Sequence, residues 1–150
     1  MATYQLTVSD CWHIFVRLSI ALIAGAIIGW ERQVHHKPAG LRTHMLVSLG
    51  SALFTLIPLI LSQRNSGVDG DVLSRVVQGI TAGVGFLGAG EILRASSEDS
   101  QHIAIRGLTS AAAIWVSASL GSAAGCGLWQ LTLIGAVLCF VVLSIVKRFE

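Results

Sequence analysis

Five apolar runs separated by polar loops organise the chain. They cover residues 11–30, 45–61, 75–93, 107–125 and 128–146. Each run approaches the roughly 20 apolar residues that an α-helix needs to cross the hydrocarbon core of a bilayer. Residues 1–10 contain no Lys or Arg, so the first run lacks the basic start of a cleaved signal peptide. The pattern predicts an all-α, polytopic transmembrane bundle of about five spans. We expect one domain over residues 1–150, without a soluble C-terminal domain.

The first run carries interfacial markers at both ends. Trp12 and Trp30 bracket it, about 27 Å apart at the helical rise, which matches the two aromatic belts of a bilayer. Arg17 lies inside the run, so it either snorkels to the nearer interface or pairs with an acidic residue inside the bundle. Gly25 and Gly29 form a GxxxG face, which predicts a helix–helix contact.

The third run is rich in glycine, and the fourth is dominated by Ala, Ser and Gly. In water each helical glycine would cost roughly 1 kcal/mol relative to Ala, whereas in a membrane glycine lets helix backbones approach closely. We therefore expect runs three and four to lie at the centre of the bundle, and homodimers to form through such faces. The packing glycines of these two runs are Gly79, Gly83, Gly85, Gly88, Gly90, Gly121 and Gly125.

Composition fixes the broad class. The 150 residues are 53% hydrophobic and 12% charged, with a mean hydropathy of +0.73, whereas a soluble domain carries about 25% charged residues. A lipid bilayer is therefore the expected surrounding. The net charge of +2 says little, and we expect no nucleic-acid partner. Cys11, Cys126 and Cys139 lack CxxC spacing, so we expect buried thiols rather than a disulfide or a zinc site.

The distribution of basic residues predicts the orientation. Five spans place Arg32, Lys37, Arg42, Arg94, Arg106, Lys147 and Arg148 on one side of the membrane, and Arg64 and Arg75 on the other. By the positive-inside rule, the N-terminus lies outside and the C-terminus lies in the cytoplasm.

The polar stretch 31–44 and the end of the third run are the candidate sites. Glu31 and Glu91 end their runs at the same predicted depth, which suits hydrated Mg²⁺ held by carboxylates and nearby hydroxyls. Basic side chains in the stretch equally suit phosphate or anionic lipid, or are ordinary positive-inside charges. Glu91 and Arg94 are alternatively an interfacial ion pair. The candidate binding residues are Glu31, Arg32, Lys37, Arg42, Thr43, Glu91, Arg94 and Thr109, with Glu31 and Glu91 as the metal candidates.

The other motifs in the sequence give little support for a functional site. Residues 83–88 match GxGxxG, but the dinucleotide fingerprint needs a strand before it. His35 and His36 lack the i, i+4 spacing of helical metal ligands, and Asp69 with Asp71 reproduces only a fragment of a calcium loop. No nucleophile–base arrangement is visible, so we expect no enzyme.

Three blocks carry a family resemblance. ERQVHHKPAGLRTHMLVSLGSALFTL (31–56), GVGFLGAGEILR (83–94) and GLTSAAAIWVSASLGSAAGCG (107–127) together resemble the MgtC/SapB family of bacterial inner-membrane proteins. The family's motif residues map onto Glu31, Arg32, Lys37, Pro38, Gly40, Leu41, Arg42, Thr43, Gly85, Phe86, Gly88, Gly90, Thr109 and Trp115. Glu91 departs from the pattern, since the family is expected to have an apolar residue there. This departure shifts weight to Glu31, Arg32 and Arg42.

The resemblance implies a multi-pass inner-membrane protein that supports growth under magnesium limitation, and virulence in pathogens. Many members continue into a soluble cytoplasmic domain. The implied activity is regulation of another membrane complex, with the F-type ATP synthase as a candidate partner. The alternative is a transporter or channel for Mg²⁺ or another ion. No cofactor is expected beyond Mg²⁺ itself.

Overall fold

The computed structural model describes residues 6–62, 70–97 and 107–145, and within these ranges it contains five helices and no strand. They are α1 (Val8–Val34), α2 (Leu41–Ser62), α3 (Gly70–Ser97), α4 (Leu108–Gly125) and α5 (Trp129–Ser144). The all-α prediction is confirmed. Three helices are long and apolar enough to cross a membrane, namely α1, α2 and α3 as far as Arg94, and α5 is a shorter apolar helix. Arg64, Asp69, Arg106, Lys147 and Arg148 lie outside the described residues, and the orientation in the membrane stays a prediction.

Local hydrogen bonds extend α1 beyond its apolar run at both ends. Thr7 and Asp10 form a capping box at the N-terminus, which satisfies free N–H groups of the first turn. At the C-terminus the Lys37 N–H donates to the Arg32 carbonyl and the His36 N–H to the Gln33 carbonyl. This is a Schellman motif, and His36 occupies its left-handed position with φ 51°. The polar residues Glu31 and Arg32 are therefore helical and belong to the bundle.

Glycines hold α1 and α4 against α2. A methyl group at Gly25 would lie 2.6 Å from the His44 carbonyl oxygen, and one at Gly29 would lie 2.7 Å from the Leu41 Cα. On α4, a methyl at Gly121 would overlap the Ser48 carbonyl, and one at Gly125 would lie 2.7 Å from the Ala52 carbonyl oxygen. No side chain larger than hydrogen fits these positions, so the glycines set the helix separation.

The core of the bundle comprises α1, α2 and α4, and α4 contacts each of the other four helices. The expectation that run four is central agrees with this arrangement. One apolar cluster joins α1, α4 and α5. Its members include Ala24, Ile28 and Ala136, which are fully buried, and Ala113, which is nearly buried. The three cysteines form no disulfide, but the expectation of buried thiols is wrong for Cys11, which is exposed, while Cys126 and Cys139 are half-buried.

The expectation that run three is central is wrong. α3 packs mainly on α4 and only lightly on α2, and it makes no direct contact with α1 or α5 in the described chain. Only 11% of its most apolar stretch is buried, compared with 28% for α2. Gly88 contacts Ala111, but a methyl at Gly79, Gly83, Gly85 or Gly90 would meet no atom within 4 Å. The glycine pattern reveals a face suited to close contact, and the described part of the chain leaves most of that face uncovered.

Candidate functional site

An ion pair is buried at the end of the bundle where α1 ends and α2 and α4 begin. Glu31 is 3% exposed and Arg32 is 2% exposed, and the Arg32 Nη1 lies 3.2 Å from the Glu31 Oε2. Both side chains belong to the last turn of α1, which the capping bonds around His36 keep helical. Charged side chains are rarely buried so deeply unless they are paired, and adjacent residues of one helix supply both charges here.

The pair leaves two polar atoms without hydrogen bonds. The His35 Nδ1 lies 2.8 Å from the Glu31 backbone carbonyl oxygen and 2.9 Å from the Glu31 Oε1. Among the described residues the Glu31 Oε1 accepts no hydrogen bond, and its contact with His35 is an ion pair only when that ring is protonated. The Arg32 Nε is also unpartnered. An unmade hydrogen bond on a buried polar atom is costly, which marks this end of the bundle as a polar site.

His44 on α2 is a further member of the site that sequence reasoning missed. It is fully buried, and its Nδ1 lies 2.9 Å from the Ser117 Oγ on α4. Ser117 donates its hydroxyl hydrogen to the Ala113 carbonyl at 3.0 Å, so the Nδ1–H of His44 must donate to Ser117. The Nε2 of this ring makes no hydrogen bond to any described residue. The charge of Arg32 lies within electrostatic reach of this ring.

A polar stripe along α2 could have revealed His44. The stripe consists of His44, Ser48, Ser51 and Thr55, which recur at helical spacing on one face and are all buried. Ser48 donates to the Ala21 carbonyl on α1 at 2.7 Å, and Thr55 donates to its own helix. A polar stripe on an otherwise apolar membrane helix points towards other helices rather than lipid.

The basic residues of the α1–α2 turn do not join the buried pair. Lys37, Arg42 and Thr43 are exposed. Arg42 and Thr43 line an open cavity of about 480 Å³ together with Gln33, Gly40 and Leu41. The Leu41 N–H donates to the Gln33 Oε1 at 3.4 Å, which occupies a free N–H group of α2.

The residues predicted at the end of α3 form a separate group. Glu91 is half-buried with an unpartnered Oε1, whereas Arg94 and Thr109 are exposed. Because α1 and α3 make no contact in the described chain, Glu31 and Glu91 are not neighbours. The described residues contain no cluster of three or more His, Cys, Asp or Glu side chains suited to a metal ion.

A second feature is an apolar groove between α2 and α3, with a volume of about 700 Å³. On α3 its lining extends from Val76 to Leu87 and includes Gly79 and Gly83, and Ser51 is its one polar side chain. On α3 the groove is lined both by Ile80 and Val84, which pack against the rest of the chain, and by Gly79 and Gly83, which have open space beside them.

Fold and site together define a helical membrane protein with a buried ion pair at one end and a lateral groove along one side. The chain belongs to the MgtC family, whose model matches residues 18–150. It is 48% identical to Protein SrpB of Synechococcus elongatus over 89% of this chain and 75% of the relative. It is 42% identical to "Putative magnesium transporter YhiD" of Escherichia coli K12 over 87% of this chain and 59% of YhiD.

A further relative is Protein MgtC of Brucella abortus, which is 35% identical over 90% of this chain and 52% of the relative. The chain therefore spans between half and three quarters of these relatives. No solved structure matches. Of these three relatives, YhiD is the one whose name refers to magnesium.

Proposed function

We propose that the chain is a non-enzymatic, multi-pass protein of the bacterial inner membrane that supports growth under magnesium limitation by regulating another membrane complex. The open face of α3, with the groove beside it, carries this proposal. The F-type ATP synthase, which the family resemblance suggests, is the first candidate complex to test.

The groove suits a transmembrane helix of the regulated complex. Its α3 lining from Val76 to Leu87 covers about 16 Å, or three helical turns. An apolar surface inside a bilayer is covered either by acyl chains or by an apolar helix, and small residues favour the helix because backbones can then approach closely. Gly79 and Gly83 provide such small residues with open space beside them.

The buried ion pair supports regulation rather than transport. Glu31 faces Arg32 at 3.2 Å, so the charge of this carboxylate is already compensated. A buried pair of this kind is seldom a source of net stability but is disruptive when broken. In this proposal the pair fixes the end of α1 and the turn to α2, and the α3 face makes the functional contact.

Growth in low magnesium tests the proposal. A strain without the gene is complemented with the wild-type chain or with Gly83→Leu, which places an isobutyl group in the groove from a position whose Cβ would meet no described atom within 4 Å. We expect Gly83→Leu to lose complementation at an unchanged protein level. Thr81→Leu is the matched control, because Thr81 is exposed, does not line the groove, and donates its hydroxyl hydrogen to the Val77 carbonyl of its own helix. Full growth with Gly83→Leu would contradict the groove as the functional surface.

Ion transport is the second candidate, because two carboxylate oxygens, Glu31 Oε1 and Glu91 Oε1, are buried without hydrogen bonds. Such oxygens suit a divalent cation that keeps part of its hydration shell. This candidate predicts Mg²⁺ uptake that a Glu31→Ala/Glu91→Ala double variant loses. Regulation predicts no uptake by either protein.

A further inference from the structure

A second polar cavity lies at the opposite end of the bundle from the buried ion pair, where α1 begins and α2 ends. Its volume is about 260 Å³. Asp10, His13 and Arg17 of α1 line it, and aliphatic side chains that include Leu56 and Ile60 of α2 complete its wall. Trp12, stacked on Phe15, neighbours it on α1, and tryptophan prefers the headgroup level of a bilayer.

Arg17 is held in position by the α4–α5 turn. Its Nη1 donates to the Gly125 carbonyl oxygen at 3.1 Å, at the negative end of α4. Its guanidinium lies against Gly127, where a methyl group would be 3.2 Å from the Arg17 Cζ. Among the described residues, its hydrogen-bond partner is thus a carbonyl rather than the acidic side chain considered from the sequence. One of five N–H donors is used, which leaves a fixed cation facing the cavity.

Asp10 supplies the opposite charge nearer the membrane surface. Its Oδ2 accepts from the Thr7 N–H at 3.0 Å and from the Thr7 hydroxyl at 2.6 Å, which fixes the carboxylate. Asp10 precedes Arg17 by two helical turns on the same face, roughly 10 Å along the axis, and the two side chains form no ion pair within the described chain. The cavity therefore has a cation at its deeper end and an anion at its outer end.

The geometry points to a binding site for the head group of a zwitterionic aminophospholipid, with its phosphate on Arg17 and its primary ammonium on Asp10. In a bilayer the phosphate of such a lipid lies deeper than the amine, which is the order of the two charges on α1. The aliphatic wall suits the glycerol and upper acyl chains. An anionic lipid with an uncharged head group would satisfy Arg17 but leave Asp10 facing a phosphate of like charge.

Native mass spectrometry of the full chain, delipidated and then mixed with phosphatidylethanolamine or phosphatidylglycerol, tests the site. We expect preferential retention of phosphatidylethanolamine and an affinity loss of about tenfold for Arg17→Gln, the size expected for a hydrogen bond to a charged group. Arg75→Gln is the control, since it removes an exposed Arg from the start of α3 at the same end of the bundle.

Asp10→Asn keeps the test decisive if Arg17→Gln fails to fold, because the Asn side-chain oxygen can still accept the Thr7 N–H in the capping box. We expect it to weaken phosphatidylethanolamine and strengthen phosphatidylglycerol, so that the preference is lost or reversed. Equal retention of both lipids by the wild type, or an unchanged preference in Asp10→Asn, would overturn the proposal. Soluble phosphoethanolamine binding without lipid retention would overturn the lipid as the source of the head group.

Discussion

Two sets of glycines in this chain have the same spacing but different surroundings. Gly25, Gly29, Gly121 and Gly125 press α1 and α4 against the backbone of α2, whereas Gly79 and Gly83 on α3 face open space. The first set is needed for helix packing within the chain, because larger side chains would separate the helices. The second set meets no atom within 4 Å in the described ranges, although glycine costs helix stability. Under the proposed function, the contact for which the α3 face is suited lies with another membrane protein.

The largest expected effect comes from a substitution at one of the packed glycines. Gly121→Ala places a methyl group on the Ser48 carbonyl of α2, and we expect it to destabilise the bundle by about 3 kcal/mol, at the upper end for overpacking. Unfolding by denaturing detergent, followed by helical circular dichroism, measures this loss. Gly79→Ala is the control, and a similar loss in that variant would contradict the distinction between the two sets.

A smaller effect tests the hydrogen bond that joins the same helices at the ion-pair end. Ser117→Ala leaves the His44 Nδ1–H buried without an acceptor, which should cost roughly 1–3 kcal/mol. Ser119→Ala is the matched control on α4, because Ser119 is exposed and bonds only to the Val116 carbonyl of its own helix. Equal stability of the two variants in the same unfolding assay would remove His44 from the site.

The smallest expected effect is a gain rather than a loss of stability, and it concerns a glycine of α3 that has open space beside it. Gly83→Ala should stabilise the isolated protein by about 0.4–1 kcal/mol, because alanine is a better helix former and meets no neighbour here. The same variant should weaken complementation in low magnesium, since the methyl group reduces close approach in the groove. A loss of stability would show that Gly83 supports the monomer, which would contradict the comparison.

The five helices could be predicted from the sequence because each contains an apolar or small-residue run between polar loops, although among the described residues only α1, α2 and α3 are long and apolar enough to cross a membrane. The sequence also identifies Glu31 and Arg32 as candidate binding residues, but it places them in a polar stretch outside the membrane span. Their burial depends on the Schellman turn at His36, which carries no glycine and so gives no strong signal. The prediction that α3 is central was wrong because the spacing of glycines identifies a face that can pack closely but does not identify what covers that face. His44 was missed because its partner, Ser117, lies on another helix, 73 residues away.

The most direct test of the regulatory account is Mg²⁺ flux into proteoliposomes that contain the purified chain, shown to be folded and inserted. Wild-type protein is compared with the Glu31→Ala/Glu91→Ala double variant and with protein-free vesicles. The account predicts that all three preparations give the same background flux, because the α3 face acts on a partner that the vesicles lack. Mg²⁺ flux through the wild type that the double variant loses would contradict it and identify the chain as a transporter.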